Sequence, residues 1–218
     1  TARLWTYVRD DRPWGGGAPS AVVFYFSRDR GGEHPTSHLA GWKGILQADA
    51  YTGYNQLYDL KRQPGPVTSA LCWAHARRKF FELADIESNI RKGKSPKEIS
   101  PIAFEAVRRI DALFDIERTI KGHTPEARLE VRQQLSVPLV EDLERWLLGE
   151  RALLSKHAKV AKAIDYLLSP GHWPAFKHFL EDGHVCLTNN AAERSLRGVA
   201  LGRKAWLFAG SERGGQRA

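Results

Sequence analysis

The feature that most constrains the fold is a block of helix-forming sequence, residues 85–170, which interrupts a series of strand-forming segments. Within this block Ala103, Val107 and Ile110 are spaced by four and three residues, as on one buried face of a helix. The strand-forming segments are LWTYV, AVVFYFS, ILQA and VTSALCW before the block, and VCL and AWLF after it. This order predicts an α/β fold in which a mixed sheet is interrupted by a large all-helical insertion.

The chain is basic, with 33 Lys and Arg against 25 Asp and Glu and a net charge of +8. Much of the excess gathers in two clusters, which are Arg77, Arg78 and Lys79 in the first and Arg194, Arg197, Arg203 and Lys204 in the second. Such clusters suit a polyanion such as DNA. A solvated surface explains a charge of this size equally well, so the clusters alone assign no partner.

The cysteines and the hydropathy indicate the compartment. Cys72 and Cys186 are the only cysteines, and each lies in an apolar segment, so no disulfide framework is indicated. Cys72 and His75 have the spacing of half a zinc site, but no second pair matches, and a structural role for Cys72 is favoured. No apolar run reaches the roughly 18–20 residues that span a bilayer. We expect a cytoplasmic protein without a membrane partner.

Asp49 is the first candidate functional residue. It follows an apolar run in GILQADAYTGY, where a strand gives way to a tyrosine-rich helix. An acid at the end of a buried strand can hold a divalent metal for phosphate chemistry. The alternative is an N-cap, because Asp is favoured there and stabilises the next helix by about 1 kcal/mol. Tyr51, Tyr54 and Tyr58 are expected on one helical face, packed on the sheet rather than stacked on bases.

Glu193, in the segment TNNAAERSLR, is the second candidate. One interpretation is a capping box, in which Asn190 caps the helix and the glutamate side chain reaches back. In the other interpretation Glu193 faces Asp49 and the two carboxylates share Mg²⁺ or Mn²⁺, since these ions require hard oxygen ligands. Arg194 and Arg197 would then contact the DNA backbone and offset the repulsion between carboxylates and phosphates.

Three segments, taken together and in order, resemble the catalytic domain of insertion sequence 66 family transposases. They are GWKGILQADAYTGYNQLYD, CWAHARRKFFELAD and VCLTNNAAERSLRGVALGRKAWLFAGSERGG. The resemblance runs from Leu4 to the last residues. It implies a ribonuclease H-like core of the acidic-triad (DDE) type, which performs metal-dependent DNA cleavage and strand transfer in DNA transposition, a form of DNA recombination. By this resemblance Asp49 is the second metal-binding, catalytic acid and Glu193 is the third.

The resemblance also implies a domain organisation. Residues 1–84 and 171–218 would form two parts of the catalytic core, and residues 85–170 would form the helical insertion. The family's first aspartate lies on a strand just upstream of LWTYV, so we expect the sheet to lack its first strand and the chain to be truncated at both ends. Asp10 and Asp11 lie in a Gly- and Pro-rich loop and are interpreted as turn residues. We expect this chain alone to be marginally stable and catalytically inactive.

Two other functions stay open at this point. One is a catalytically inactive transposase remnant that binds DNA or oligomerises. The other is a stand-alone nuclease, which would require a further acid close to Asp49. The expected partners are transposon-end and target DNA, with a homo-oligomer as an open alternative, and the expected location is the bacterial cytoplasm in association with the nucleoid.

Overall fold

The computed structural model describes residues 3–84, 91 and 100–205, and for residues 200 and 203–205 it describes the backbone alone. The chain divides into two compact units. One comprises Thr1–Arg12, Gly16–Ser69 and Asn189–Ala218, and the other comprises Pro13–Gly15 and Ala70–Thr188. Helices dominate and the strands form small sheets, which confirms the expected α/β class with a large helical part. The assignment of residues 85–170 as an insertion stays a prediction.

The first unit begins with an antiparallel hairpin. Strand β1 (Arg3–Arg9) pairs along its whole length with β2 (Ala21–Ser27). Both strands are rich in aromatic and β-branched residues, which favour a pleated backbone. Asp10 and Asp11, in the connection, each bind an arginine of the same segment at 2.7 Å. The structure therefore uses these two acids to organise the turn, as expected.

A second strand pair follows the hairpin. Helix α1 (Glu33–His38) leads to β3 (Ile45–Ala48), a 3₁₀ helix (Thr52–Tyr58) and β4 (Thr68–Leu71). Strands β3 and β4 form a two-stranded sheet of their own. The bounds of β3 agree with the strand predicted before Asp49, whereas the helix that follows is a 3₁₀ helix rather than an α-helix.

Among the described residues, the sheet that is expected to lack its first strand is present as two separate strand pairs. The hairpin strands pair with each other, and β3 pairs with β4, but no ladder joins the two sheets. Each pair consists of two strands that are consecutive in the sequence. A single continuous sheet would need a further strand between the two pairs. A ribonuclease H-like sheet without its central strand would have this arrangement, and that topology stays a prediction.

The segment VCL, residues 185–187, is not a strand, so this expectation was wrong. Its carbonyl groups are bound in other ways. The Val185 carbonyl accepts a hydrogen bond from Arg132 Nη2 at 2.8 Å, and the Leu187 carbonyl accepts one from the Trp73 N–H at 2.9 Å. The segment therefore satisfies its backbone without a ladder. The AWLF segment lies outside the described residues from position 206 onward.

The second unit is helical. Its helices among the described residues are α2 (Trp73–Ala84), α3 (Pro101–Thr119), α4 (Pro125–Val131), α5 (Val137–Leu153), α6 (Lys159–Leu168) and α7 (Trp173–Lys177). Ser100 and Thr124 start α3 and α4 because their hydroxyls accept from backbone N–H groups in the first turn. A proline follows each cap, at a position where it costs no hydrogen bond.

Trp73 lies in the core of this unit. Its ring contacts Trp173, Phe176 and Phe179, with centroid distances of 6.0, 5.4 and 6.1 Å. Its Nε1–H donates to the Phe176 carbonyl at 2.9 Å, which satisfies the buried indole. Fully buried aliphatic side chains from α3, α5 and α6 complete the core, namely Ile110, Leu143, Leu147 and Ile164. None of the described helices is long and apolar enough to cross a membrane.

A buried ion cluster, which the sequence did not reveal, lies beside this core. The Arg132 side chain is 0% exposed, and its Nε and Nη2 donate to the two carboxylate oxygens of Glu117 at 2.7 and 2.8 Å. The Arg128 side chain, 3% exposed, donates to the same carboxylate at 3.2 Å. Arg132 Nη1 also donates to the Phe179 carbonyl at 2.8 Å. Arg132 thus links α3 to the 3₁₀ helix (His178–Leu180) that follows α7.

Candidate active site around Asp49

Asp49 directly follows β3 and does not cap the next helix. The 3₁₀ helix begins at Thr52, its N-cap is Tyr51, and no side chain makes a capping hydrogen bond there. The Asp49 carbonyl accepts from the Tyr51 N–H at 2.8 Å, which turns the backbone. The capping interpretation of Asp49 was therefore wrong. The exposed carboxylate makes no hydrogen bond or ion pair with any residue in the described part of the chain.

The Asp49 side chain lines a cavity of about 220 Å³. The walls come from the start of β1, from the turn after β2 and from the segment after β3. The lining residues are Arg3, Leu4, Trp5, Arg30, Asp49, Tyr51 and Tyr54. The cavity therefore combines one carboxylate, two guanidinium groups and three aromatic rings. The two arginines belong to no motif in the sequence, and only the fold brings them to Asp49.

Trp5 anchors the aromatic side of this cavity. It is 9% exposed, and its Nε1–H donates to the buried Ser27 hydroxyl at 2.9 Å. Its ring lies 6.1 Å from the ring of Tyr51 and 6.2 Å from that of Tyr54. The tyrosines thus pack on the hairpin, and they also line the cavity. The guanidinium of Arg30 lies over the Tyr51 ring, 4.7 Å from its centroid.

The negative charge of Asp49 affects the pKa of two tyrosine hydroxyls. Burial, followed by the Asp49 carboxylate, raises the pKa of Tyr54 to about 12. Burial also raises the pKa of Tyr58, although a hydrogen bond with Ser69 opposes this, and the Asp49 charge adds to the rise. Both hydroxyls therefore keep their protons at neutral pH and can act as hydrogen-bond donors beside the carboxylate.

Glu193 lies in helix α8 (Asn190–Ser195), which is followed by α9 (Arg197–Ala205). The N-cap of α8 is Asn189, without a side-chain capping bond, so Glu193 occupies the fourth helical position. A capping box needs the acid at the third position, so the capping interpretation of Glu193 was wrong.

Helix α8 belongs to the same compact unit as Asp49 and packs against β1. The Thr6 and Ser195 hydroxyls are 2.9 Å apart at this contact. Strand β1 therefore borders both elements that concern the candidate site: its first residues line the Asp49 cavity, and its middle meets the helix that carries Glu193. Glu193 itself is exposed and is not among the residues that line the cavity.

The predicted DNA-binding residues have different surroundings. Arg77 forms a bidentate ion pair with Asp111 at 2.6 and 2.8 Å, and this partner raises the arginine pKa. Lys79 is exposed, with its Nζ 4.2 Å from the Tyr166 ring centroid. Arg78 is exposed on α2. Arg194 and Arg197 are exposed on α8 and α9, while the side chains of Arg203 and Lys204 lie outside the described part.

A second group of metal-ligand side chains lies at the start of α1. Ligand atoms of Asp29, Glu33 and His34 fall within 4.8 Å of one another. His34 Nε2 is 2.7 Å from the Asp29 carboxylate, which also accepts from the Gly31 N–H at 2.9 Å. These bonds, with that of Gly31 the larger effect, lower the pKa of Asp29. The contacts within the group explain it as a local hydrogen-bonded cluster. Cys72 is buried, in agreement with a structural role.

Comparison with known proteins identifies the family. The family model described as "Transposase IS66 family" matches residues 1–217. The chain belongs to the IS66 transposase family. This membership indicates a transposase-related role.

Relatives of this IS66 family chain are longer than it is. It is 58% identical over 219 residues to uncharacterized protein y4hP of Sinorhizobium fredii. The aligned region covers 100% of this chain and 39% of that protein. It is 38% identical to y4jD of the same organism, covering 98% of this chain and 40% of the relative. The chain thus spans about two fifths of the length of these curated relatives. No solved structure matches it.

Proposed function

We propose that this chain supplies part of the active site of a DNA transposase, in which Asp49 and Glu193 hold Mg²⁺ or Mn²⁺ for DNA cleavage and strand transfer. The observation that carries the proposal is the position of Asp49. This residue directly follows strand β3, caps no helix and lines a cavity together with two arginines. An acid with no capping role beside cationic side chains suits a site for a metal ion and a phosphodiester.

The proposed metal suits the donor set of this chain. Mg²⁺ is commonly bound through one or two carboxylates, with water and substrate phosphate completing the octahedron. Asp49 and Glu193 are exposed carboxylates of the same compact unit. When bound, the ion would supply Lewis-acid stabilisation of the phosphodiester oxygens. In the acidic-triad arrangement that we propose, Asp49 is the second acid and Glu193 is the third.

The other residues of the site have supporting roles in this proposal. The protonated Tyr54 and Tyr58 hydroxyls can donate to Asp49 or to a phosphate oxygen, which would orient either group. Arg194 and Arg197 add positive charge on the helices at and after Glu193, where DNA phosphates would approach. The ribonuclease H-like topology belongs to the same proposal, because it would place both acids at one edge of a sheet.

Titration with Mn²⁺, followed by electron paramagnetic resonance, tests the metal site. Asp49→Asn and Glu193→Gln should each weaken Mn²⁺ binding at least tenfold, since each removes one charged ligand. Asp115→Asn is the matched control, because Asp115 is an exposed acid in the other unit, paired with Arg118. If both site variants bind Mn²⁺ like the control, the assignment of the two acids is wrong. Salt-dependent DNA binding without metal binding would instead favour an inactive DNA-binding remnant.

A further inference from the structure

Strand β2 has a free edge. It pairs with β1 along its whole length, and among the described residues its other edge pairs with no strand. In the proposed ribonuclease H-like sheet, the strand between the two pairs would lie beside β1, so β2 is an outer edge there as well. A free edge presents a row of backbone N–H and C=O groups that can pair with another strand. The edge of β2 is therefore a template for strand addition.

The side chains of β2 suit this role. Val22, Val23, Phe24 and Tyr25 are 45%, 48%, 41% and 40% exposed. Since successive side chains of a strand point to opposite faces, apolar groups are exposed on both faces of this edge. The strand AVVFYFS contains no charged residue and no proline, which are the residues that usually protect an edge strand from pairing. This unprotected apolar edge has the properties of an interface.

The sequence of β2 is complementary to itself. A second copy of the strand can pair with it antiparallel about Phe24, with all seven residues of each strand in the ladder. The opposing pairs are then Ala21 with Ser27, Val22 with Phe26, Val23 with Tyr25, and Phe24 with Phe24. Aromatic residues opposite aromatic or β-branched residues are favourable cross-strand pairs. The strand thus supplies its own best-matched partner.

Charge distinguishes β2 from the other strand of the hairpin. The same two-fold operation on β1 would place Arg3 opposite Arg9, so like charges would face each other in two places. Like charges directly opposite each other destabilise a strand pair. No such repulsion arises along β2, because its seven residues are uncharged. The charge pattern therefore favours β2 as the edge that meets a second copy.

We propose that two copies of this chain associate through β2, which pairs antiparallel with β2 of the partner about a two-fold axis at Phe24. The two hairpins then form one four-stranded sheet. Because the same surface is used by both copies, the contact closes on itself and gives a dimer. It requires neither metal nor DNA, so it can fail or succeed independently of the proposed function.

Disulfide trapping of the 218-residue chain with oxidised glutathione tests the pairing and its register. Phe24→Cys should give a covalent dimer, because opposing Cα atoms are about 4.5–5.5 Å apart and a disulfide joins Cα atoms about 4.4–6.8 Å apart. Val22→Cys is the matched control, since Val22 is similarly exposed but lies four residues, roughly 13 Å, from its own copy. It should crosslink only when mixed with Phe26→Cys. The unaltered chain, with Cys72 and Cys186, gives the background.

Sedimentation velocity over a range of concentrations measures the affinity. Phe24→Lys places two ammonium groups opposite each other and should weaken dimerisation at least about tenfold. Leu60→Lys is the matched control, because it adds the same charge at an exposed apolar residue of the same unit, and it should leave dimerisation unchanged. A mixture of Phe24→Lys and Phe24→Glu should dimerise again, which also shows that neither variant has lost its fold.

Three results would each overturn the proposal. Equal crosslinking of Phe24→Cys and of Val22→Cys alone would indicate aggregation without a defined register. An unaltered chain that stays monomeric at every soluble concentration would show that no second copy binds the edge, whether or not another segment of the chain covers it. A Phe24→Lys variant that dimerises as well as Leu60→Lys would place the interface elsewhere.

Discussion

The buried ion cluster of the helical unit predicts a large effect from a single small substitution. Glu117 receives hydrogen bonds from Arg132 at 2.7 and 2.8 Å and from Arg128 at 3.2 Å. Glu117→Gln preserves the size of the side chain but removes its charge. It also places an NH₂ group against guanidinium donors, because one amide end has no acceptor. Two arginines, 0% and 3% exposed, would then lack their only carboxylate partner in the described structure.

The magnitude follows from burial. Removing one partner of a buried ion pair costs about 3–5 kcal/mol, because the remaining charge stays desolvated without compensation. Glu105→Gln is the matched control on the same helix, α3. Glu105 also binds two arginines, Arg108 and Arg109, at 2.7 Å, and they lower its pKa to about 2. Its side chain is 29% exposed, however, so solvent screening limits the cost to about 0–1 kcal/mol.

Urea unfolding at neutral pH, followed by circular dichroism, measures both variants. We expect the free energy of unfolding to fall at least about 2 kcal/mol further for Glu117→Gln than for Glu105→Gln. Arg128 and Arg132 pack against the carbonyls of segment 178–185, so this segment should also exchange its amide protons faster. Equal losses in the two variants would refute the reasoning, because burial would then have no influence on the cost of losing the charge.

Three further predictions concern the first unit and the basic residues. Ser27→Ala should cost about 1–3 kcal/mol in urea unfolding, since it leaves the buried indole N–H of Trp5 without its acceptor, and no loss would contradict this. The pKa of Tyr54 is raised to about 12 by burial and a neighbouring carboxylate, so between about pH 10 and 12 the unfolded chain ionises first and stability falls. Tyr54→Phe should make that fall shallower in urea unfolding at several alkaline pH values, and an unchanged profile would count against the shift. In DNA-binding titrations Arg78→Ala should weaken binding more than Arg77→Ala, whose guanidinium already has a carboxylate partner, and the reverse order would show that this pair opens on DNA.

Local sequence patterns correctly predicted those strands that are specified by residues close together in the chain. The strand before Asp49 has the predicted bounds, and the alternating aromatic segments form the predicted hairpin. The strand expected at 185–187 failed for a long-range reason, since Arg132 binds a carbonyl there from 53 positions away. An apolar run specifies that a segment is buried, but it does not specify which donor will satisfy its backbone.

For the candidate site, too, the sequence decided some points and the structure decided others. The motif resemblance selected Asp49 and Glu193, and the alternative interpretations were caps. Deciding between a cap and a ligand requires the helix start, and the starts at Thr52 and Asn190 leave neither acid in a capping position. The expectation that this chain alone is marginally stable and inactive stays a prediction, as do the metal and the DNA contacts.

The sequence by itself determined the hairpin, the strand before Asp49, the family, the basic character and the two acids that the family resemblance marks. Only the tertiary structure decided that Arg3 and Arg30 meet Asp49 in one cavity, and that Glu117 neutralises two buried arginines. The physical reason is the distance along the chain over which each interaction acts. Periodicity and capping are set by neighbours within one or two turns, whereas these contacts join residues from separate segments, and their partners are fixed only when the chain packs.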